Sequence, residues 1–268
     1  IGHEQPIRCV SGFQKSRGAG FNGSQSGAQE KLQMEQEKEG KKRVVVILNG
    51  ISLEKKLFYH RFYPKLSQLC DLEVAETLTK NDAVSLASKA TDRYVDAVIA
   101  AGGDGTLHQV VNGVLKGRET ESKLPAIGLI PIGSGNDFAK TVHIGTDPTQ
   151  LENLLKNFAP KKIDVGRIHY TDSTIPEAGM QSQRYFVNVA DVGMGPEVVE
   201  GVMNSGRPFG AAVAYYKSIM LTFFRYKPMN VKVISPGWTW EGKVRTLAIA
   251  NGKYYGHGLC IAPDAVPG

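Results

Sequence analysis

Three short, unbroken apolar runs limit what this chain can fold into. They are Val44-Val45-Val46-Ile47-Leu48, the run Asp96–Ala101 (DAVIAA) and the run Ala126–Ile130. A strand with one wet face alternates apolar and polar residues, so a run that stays apolar fits a strand buried on both faces. Asp71–Ala75 reads as a shorter strand between the first two. Helical segments separate them: Leu53–Leu69, a helix capped by Asp82 and running to about Ala90, and one ending near Leu115. Strand and helix alternating at this spacing predict an α/β unit, a parallel sheet with helices on both faces and hence three layers.

After about residue 160 the pattern changes. Segments 162–169, 184–192, 230–234, 243–250 and 258–262 read as strands of an antiparallel, β-rich second unit, with turn signals at Pro236-Gly237 and Asn251-Gly252. One helical segment, Phe209–Tyr226, interrupts them. Residues 1–40 are rich in Gly, Ser, Gln, Glu and Lys and read as a disordered tail or leader, with a short helix over Gln29–Lys38. The expected organisation is therefore 1–40 tail, 43–160 α/β nucleotide unit and 161–268 β-rich sandwich unit. The chain opens on Ile1 and stops at Pro267-Gly268 just after a strand-like run, so a fragment truncated at both ends is expected.

Charge and cysteines exclude little but point one way. With 32 Lys and Arg against 26 Asp and Glu, the net charge of +6 suits a nucleotide or anionic lipid surface no better than it suits a solvated exterior. Cys9, Cys70 and Cys260 are odd in number and far apart, which argues against a disulfide framework or a zinc site and for a reducing cytoplasm. The first thirty residues carry no apolar run of the signal-peptide kind. No stretch reaches the roughly 18 apolar residues of a membrane span. The nearest, Ala211–Phe224, is short and contains Lys217, so any meeting with membrane lipid would be peripheral.

Two glycine turns carry the chemistry. Gly102-Gly103-Asp104-Gly105-Thr106 sits between a buried strand and a helix. Glycines turn tightly and leave no Cβ in the way of a phosphate, and the free N–H groups of the next helix face an anion. Asp104 is out of place for phosphate binding alone, since a carboxylate repels phosphate unless it holds a cation or takes a proton. The alternative is a helix cap. Pro131-Ile132-Gly133-Ser134-Gly135-Asn136-Asp137-Phe138-Ala139 follows the next strand. Ligands of open parallel sheets sit at the carboxyl ends of the strands, so both turns are expected to face one crevice. Asn136 and Asp137 suit ribose, phosphate or a metal, and Ser134 and Asn136 equally suit caps of the helix that follows. Asn49 and Thr77, each ending a strand, lie on the same edge. His108, just after the first turn, is the histidine nearest this chemistry.

The loop GGDGTLHQVVNGV (102–114) with PIGSGNDFAKT (131–141) resembles the diacylglycerol kinase catalytic domain, whose family includes bacterial lipid kinases, sphingosine kinases and ceramide kinases. The segments Phe186–Gly193, Ala248–Gly252 and Cys260–Ala265 resemble its β-rich lipid-binding unit, so the likeness spans about 43–268. It implies a fold like that of NAD kinase and phosphofructokinase, with ATP and Mg²⁺ as cofactors. The implied reaction is γ-phosphate transfer to diacylglycerol or a related lipid alcohol in phospholipid biosynthesis. Carried over by position, Asn49, Thr77, Gly102, Gly103, Asp104, Gly105, Thr106, Leu107, His108, Gly133, Ser134, Asn136 and Asp137 would border the nucleotide. Asp104 would orient magnesium or accept the hydroxyl proton. Asn49-Gly50 stands where the family usually has Asn-Pro. In similar kinases an acidic pair after the Ala-Pro-Asp-Ala segment helps to hold a structural magnesium, and a further acid serves as base. Both would fall past Gly268, leaving Val266 as one carbonyl ligand of that metal. Partners implied are ATP and a membrane-derived lipid met at the inner membrane face, with no nucleic acid; dimers are common among similar proteins. Phe209, Tyr215, Tyr216, Ile219, Met220, Phe223 and Phe224 fit an acyl-chain pocket or an ordinary packing helix, with Lys217, Arg225 and Lys227 beside them. An NAD kinase-like enzyme and a non-catalytic nucleotide- or lipid-binding regulator are the competing readings; the PIGSGNDFA turn speaks against the first.

Overall fold

In β2 (Arg43–Leu48) successive side chains point to opposite faces, and both faces are covered. Val44, Val46 and Leu48 pack with Phe58, Phe62, Leu66, Leu154 and Leu155. Val45 and Ile47 pack on the other side with Ala83, Ala87, Val110 and Val114. That division into two apolar clusters is why the run carries no polar residue. The computed structural model describes residues 7–10, 40–79, 81–118, 123–171, 181–204 and 211–268.

The first cluster comes from α1 (Lys55–Leu57), which passes through a π-helical turn (Phe58–Phe62) into α2 (Tyr63–Leu69), and from α6 (Pro148–Asn157). Pro64 has no N–H to send back to residue 60, and the helix widens just before it. Phe58 and Phe62 nevertheless both reach the sheet and are fully buried. The second cluster comes from α3 (Asp82–Asp92) and α4 (Asp104–Leu115). These two helices approach so closely that a Cβ on Gly113 would collide with the Val84 carbonyl.

The sheet runs in the order β3 (Asp71–Glu76), β2, β4 (Ala97–Gly102), β5 (Ala126–Pro131), β1 (Ile7–Val10) and β6 (Pro160–Ile163). Strands β3 (Asp71–Glu76), β2, β4 (Ala97–Gly102) and β5 (Ala126–Pro131) are parallel, as the sequence predicts. Two further strands were not expected. Ile7–Val10 forms β1, parallel to β5, inside the stretch read as tail. Pro160–Ile163 forms β6, antiparallel to β1 with Ile7 opposite Ile163. The strand expected over 162–169 is thus two: β6 closes the first sheet, and β7 (Gly166–Thr171) begins the second unit. The helix expected over Gln29–Lys38 lies outside the described residues, as does Phe209.

In the second unit β7 pairs with β8 (Gln181–Phe186), and β9 (Val189–Gly193) with β12 (Thr246–Ala250). Strand β10 (Met229–Ser235) pairs with β11 (Trp238–Val244), and β13 (Tyr254–Tyr255) with β14 (Leu259–Cys260), all antiparallel. Helix α7 (Gly195–Asn204), absent from the sequence reading, packs on α8 (Ala211–Arg225), where the Ser218 hydroxyl donates to the Val198 carbonyl at 2.8 Å. Among the described residues no helix is long and apolar enough to cross a membrane.

Candidate functional site

Gly102, the last residue of β4, lies opposite Pro131, the last of β5, so the two glycine turns leave the sheet side by side. Their backbones meet directly: a Cβ on Gly133 would collide with the Gly103 Cα and stand 2.7 Å from its nitrogen. Asn136, in the left-handed region at φ 54°, holds its own turn. Its Oδ1 accepts the Gly133 N–H at 3.1 Å, and its Nδ2 donates to the carbonyls of Pro131 (3.1 Å) and Gly133 (2.6 Å).

Asp104 crosses from the first turn to the second. Its Oδ2 accepts the Asp137 N–H and its Oδ1 the Phe138 N–H, each at 3.0 Å. These are the opening amides of α5 (Asp137–Thr141), so a carboxylate on one loop caps a helix on the other, where the helix dipole favours negative charge. Asp104 does not cap the helix of its own turn, the alternative read from the sequence: Gly103 holds that N-cap position without a side-chain bond.

Asp137 continues the chain of bonds into the second unit. It is buried, with Oδ1 accepting Lys140 Nζ at 2.8 Å and Oδ2 accepting the His257 N–H at 2.8 Å. Other ties join the units. Asn112 on α4 exchanges two hydrogen bonds with the Tyr185 backbone on β8, at 2.9 and 3.0 Å. Thr141 Oγ1 accepts the Lys253 N–H at 3.0 Å; within the second unit Asn251 Nδ2 donates to the carbonyls of Asp164 and Val187 at 2.9 and 2.8 Å.

Between the units opens a crevice of about 1290 Å³. Every nucleotide-edge position expected from the sequence borders it except Gly102, which lies behind the turn, where a Cβ would strike the Thr106 side chain. Thr77 is buried, and its hydroxyl accepts the Gly50 N–H at 3.2 Å. Proline at position 50 would remove that donor, which gives this chain's Asn-Gly a local role. Gly105 and Ser134 are the open positions: nothing stands within 4 Å of a Cβ on Gly105, and Ser134 is exposed. His108 faces the crevice, with its pKa held below the usual histidine value by desolvation first and by Arg184 second. The described lining contains Glu54, Asp104 and Asp137 and neither lysine nor arginine.

Val266 lies elsewhere. It borders a separate cavity of about 280 Å³ lined by Phe138, Ile144, Lys161, Lys162 and other residues, none of them Asp or Glu. That donor set does not fit magnesium. Among the described residues no group of three His, Cys, Asp or Glu side chains is arranged to hold a metal. Both carboxylates at the glycine turns are already engaged by N–H donors.

Sequence reasoning missed Asn112, Asn188 and Tyr255. Asn112 sits inside the motif GGDGTLHQVVNGV, four residues after His108 on the face that meets β8, and helical spacing was the available signal. Asn188 Nδ2 donates to the Tyr254 carbonyl at 2.9 Å, and its own carbonyl accepts the N–H groups of Asn251 and Gly252. The likeness of Phe186–Gly193 and Ala248–Gly252 to one family thus reflects two loops bonded to each other.

Comparison with known proteins agrees in both units. Residues 43–168 match the diacylglycerol kinase catalytic domain, and residues 188–268 match the YegS C-terminal NAD kinase beta sandwich-like domain. A probable lipid kinase YegS-like of Stenotrophomonas maltophilia is 32% identical over 195 residues, 73% of this chain and 60% of that protein. One of Xanthomonas oryzae pv. oryzae is 28% identical over 221 residues, covering 82% of this chain and 69% of that one. The chain therefore spans about three fifths of the length of the first of these relatives. A diacylglycerol kinase structure from Bacillus anthracis superposes with a TM-score of 0.57 at 21% identity, over 81% of this chain and 67% of that one, a likeness of fold.

Proposed function

The chain belongs to the diacylglycerol kinase catalytic-domain family, and on that premise we propose that it is a lipid kinase that moves the γ-phosphate of ATP to the hydroxyl of a lipid alcohol. The observation that carries this reading is the contact of the two glycine turns through Gly103 and Gly133, clamped by Asp104, at the mouth of a crevice that continues to apolar Val189, Val199 and Val202. A phosphate cradle and an apolar wall in one cavity suit a substrate pair of which one is polyanionic and the other fatty.

Phosphoryl transfer depends mostly on positioning and charge stabilisation. In this reading the backbone of 102–108 and the N-terminus of α4 face the phosphates, Thr77 and Asn49 border the rest of the nucleotide, and Ser134 adds a hydroxyl. Asp104 acts as a positioning residue, holding the second turn against the first. With no lysine or arginine on the described lining, phosphate charge needs another counter-ion. Magnesium would supply it, riding on the nucleotide rather than on a protein cluster. Exposed Met220, Phe223 and Phe224 on α8, beside Arg225, suit peripheral contact with a membrane.

The test is transfer of label from γ-³²P-ATP with Mg²⁺ to a panel of lipid alcohols in detergent micelles. Labelled lipid is the expected outcome. Labelled NAD instead, or ATP bound with no acceptor labelled, would favour the other readings.

A further inference from the structure

The hairpin of β13 and β14 turns on three residues, Gly256-His257-Gly258, since Tyr255 pairs with Leu259. All three have positive φ, at 62°, 69° and 99°. Glycine adopts such a backbone freely; a residue with a Cβ seldom does, although histidine does so more often than most. A third glycine would suit the turn at least as well, yet its middle position carries an imidazole. Residues held in sparsely populated backbone regions collect at functional sites, where their surroundings over-determine them.

Those surroundings are well defined. The His257 N–H donates to buried Asp137 Oδ2 at 2.8 Å, and Lys140 Nζ donates to the other oxygen of that carboxylate at 2.8 Å. The backbone of the turn is thus fixed to α5 of the first unit, and the His257 side chain lines the crevice. Its ring stacks on Tyr215 of α8, with centroids 6.4 Å apart and planes inclined by 23°. A Cβ on Gly135 would stand 3.9 Å from His257 Nδ1 and 3.1 Å from Asp104 Oδ2, so the imidazole meets the second glycine turn beside the Asp104 clamp. Among the described residues neither ring nitrogen takes part in a hydrogen bond.

A phosphate chain lying on the two turns would find few cations. The described lining carries Glu54, Asp104 and Asp137 and neither lysine nor arginine. Its imidazoles are His108 and His257, and burial disfavours the charged form of the first. His257 also belongs to the second unit, which bears the apolar wall of Val189, Val199 and Val202. A nucleotide bordered by Asn49 and Thr77 and an acceptor bordered by that wall have to meet at the phosphate that moves. A side chain of the second unit that reaches the second glycine turn stands at that meeting point.

We propose that His257 is a specificity-determining residue whose turn-facing ring nitrogen donates a hydrogen bond to the terminal phosphate of ATP, so that the β-rich unit distinguishes ATP from ADP. This rests on the lipid kinase reading. In that transfer the alcohol oxygen bonds to the γ-phosphorus, the bond to the bridging oxygen breaks to leave ADP, and the hydroxyl proton passes to solvent. His257 holds a phosphate oxygen and exchanges no proton.

The experiment is calorimetric titration with ATP and with ADP, each with Mg²⁺ and without acceptor lipid, on the unaltered protein, His257→Gly and His257→Asn. Glycine suits the backbone at φ 69° and keeps the N–H that Asp137 accepts, so His257→Gly should hold or raise the melting temperature. It should weaken ATP about ten- to hundredfold, as loss of a bond to a charged group implies, and ADP by less than about twofold. Asparagine tolerates the left-handed region and carries an N–H donor near the place of the histidine Nδ1, so His257→Asn should fall between the two. Equal losses of ATP and ADP affinity, no loss in the glycine variant, or an asparagine variant no better than the glycine one overturns the proposal. Where the unaltered protein binds neither nucleotide, the kinase reading fails and the proposal fails with it. Where it binds both yet labels no lipid, a loss confined to ATP still supports the contact.

Discussion

The backbone N–H of His257 donates to Asp137 Oδ2 at 2.8 Å, so one buried carboxylate ties the second glycine turn to the β-rich unit. His257 sits in the left-handed region at φ 69°. Asp137→Ala strips the acceptor and should lower unfolding free energy by about 1–3 kcal/mol, the cost of an unsatisfied donor. Asp137→Asn keeps an acceptor and loses only the pair with half-exposed Lys140, worth less than about 1 kcal/mol. Urea denaturation followed by circular dichroism separates the two. Equal losses would mean that the ion pair, and not the His257 N–H, sets the effect.

Asp104 offers a sharper contrast. Its two oxygens accept two backbone N–H groups, and Asp104→Asn turns one of those acceptors into a donor facing a donor. Losing one charge-assisted bond costs about 1.5–3 kcal/mol, which corresponds to a roughly 10- to 150-fold fall in whatever depends on the clamp. As a clamp, Asp104→Asn should weaken ATP binding and stability together with transfer. As a general base alone, it should lower kcat and leave ATP affinity and melting temperature untouched. Calorimetric titration with ATP beside the transfer assay decides between them.

Much of the parallel sheet was legible because burial on both faces leaves a plain mark: Val44–Leu48 has no polar residue to explain away. The glycine turns were legible for a similar reason, since Gly133 has no room for a Cβ. Strand β1 was not, because four residues from Ile7 to Val10 carry too little periodicity to stand out from the Gly- and Ser-rich sequence that follows. Strand β6 was merged with β7 because only Asp164-Val165 separates them, a break too short to interrupt the pattern of the run. Helix α6 was missed although its start carries a signal, Asp147 before Pro148: the Asp147 side chain accepts the Thr149 N–H at 2.9 Å. The role of Asp104 was out of reach of local reasoning, since its partners Asp137 and Phe138 lie more than thirty residues on and only the parallel pairing of β4 with β5 brings them near.

Two glycines of the cradle should respond in opposite ways. At Gly133 a Cβ meets the Gly103 backbone, so Gly133→Ala must push the turns apart, and both thermal stability and ATP binding should fall. At Gly105 no atom lies within 4 Å of the added methyl, and alanine favours the helix by about 0.8–1.0 kcal/mol over glycine. Gly105→Ala should therefore hold or raise the melting temperature while it weakens ATP, because the methyl enters the space where phosphates are proposed to lie. Scanning calorimetry with and without ATP reads both effects. A Gly105→Ala protein that binds ATP unimpaired would move the phosphates away from this loop.

His108 gives the pH dependence. Desolvation and Arg184 hold its folded pKa below the ordinary 6.5. Below 6.5 the unfolded chain therefore binds more protons at this site than the folded one does, so stability rises with pH through the window between the folded value and 6.5, and is flat with respect to this group above it. Acid should cost the folded state here, and His108→Gln should remove that part of the slope. Melting temperatures from about pH 5 to pH 7.5 measure it. The unaltered protein should lose more on acidification than the variant does, with the two curves running parallel above neutrality. Parallel curves over the whole range would mean that His108 titrates as freely in the folded protein as in the unfolded chain.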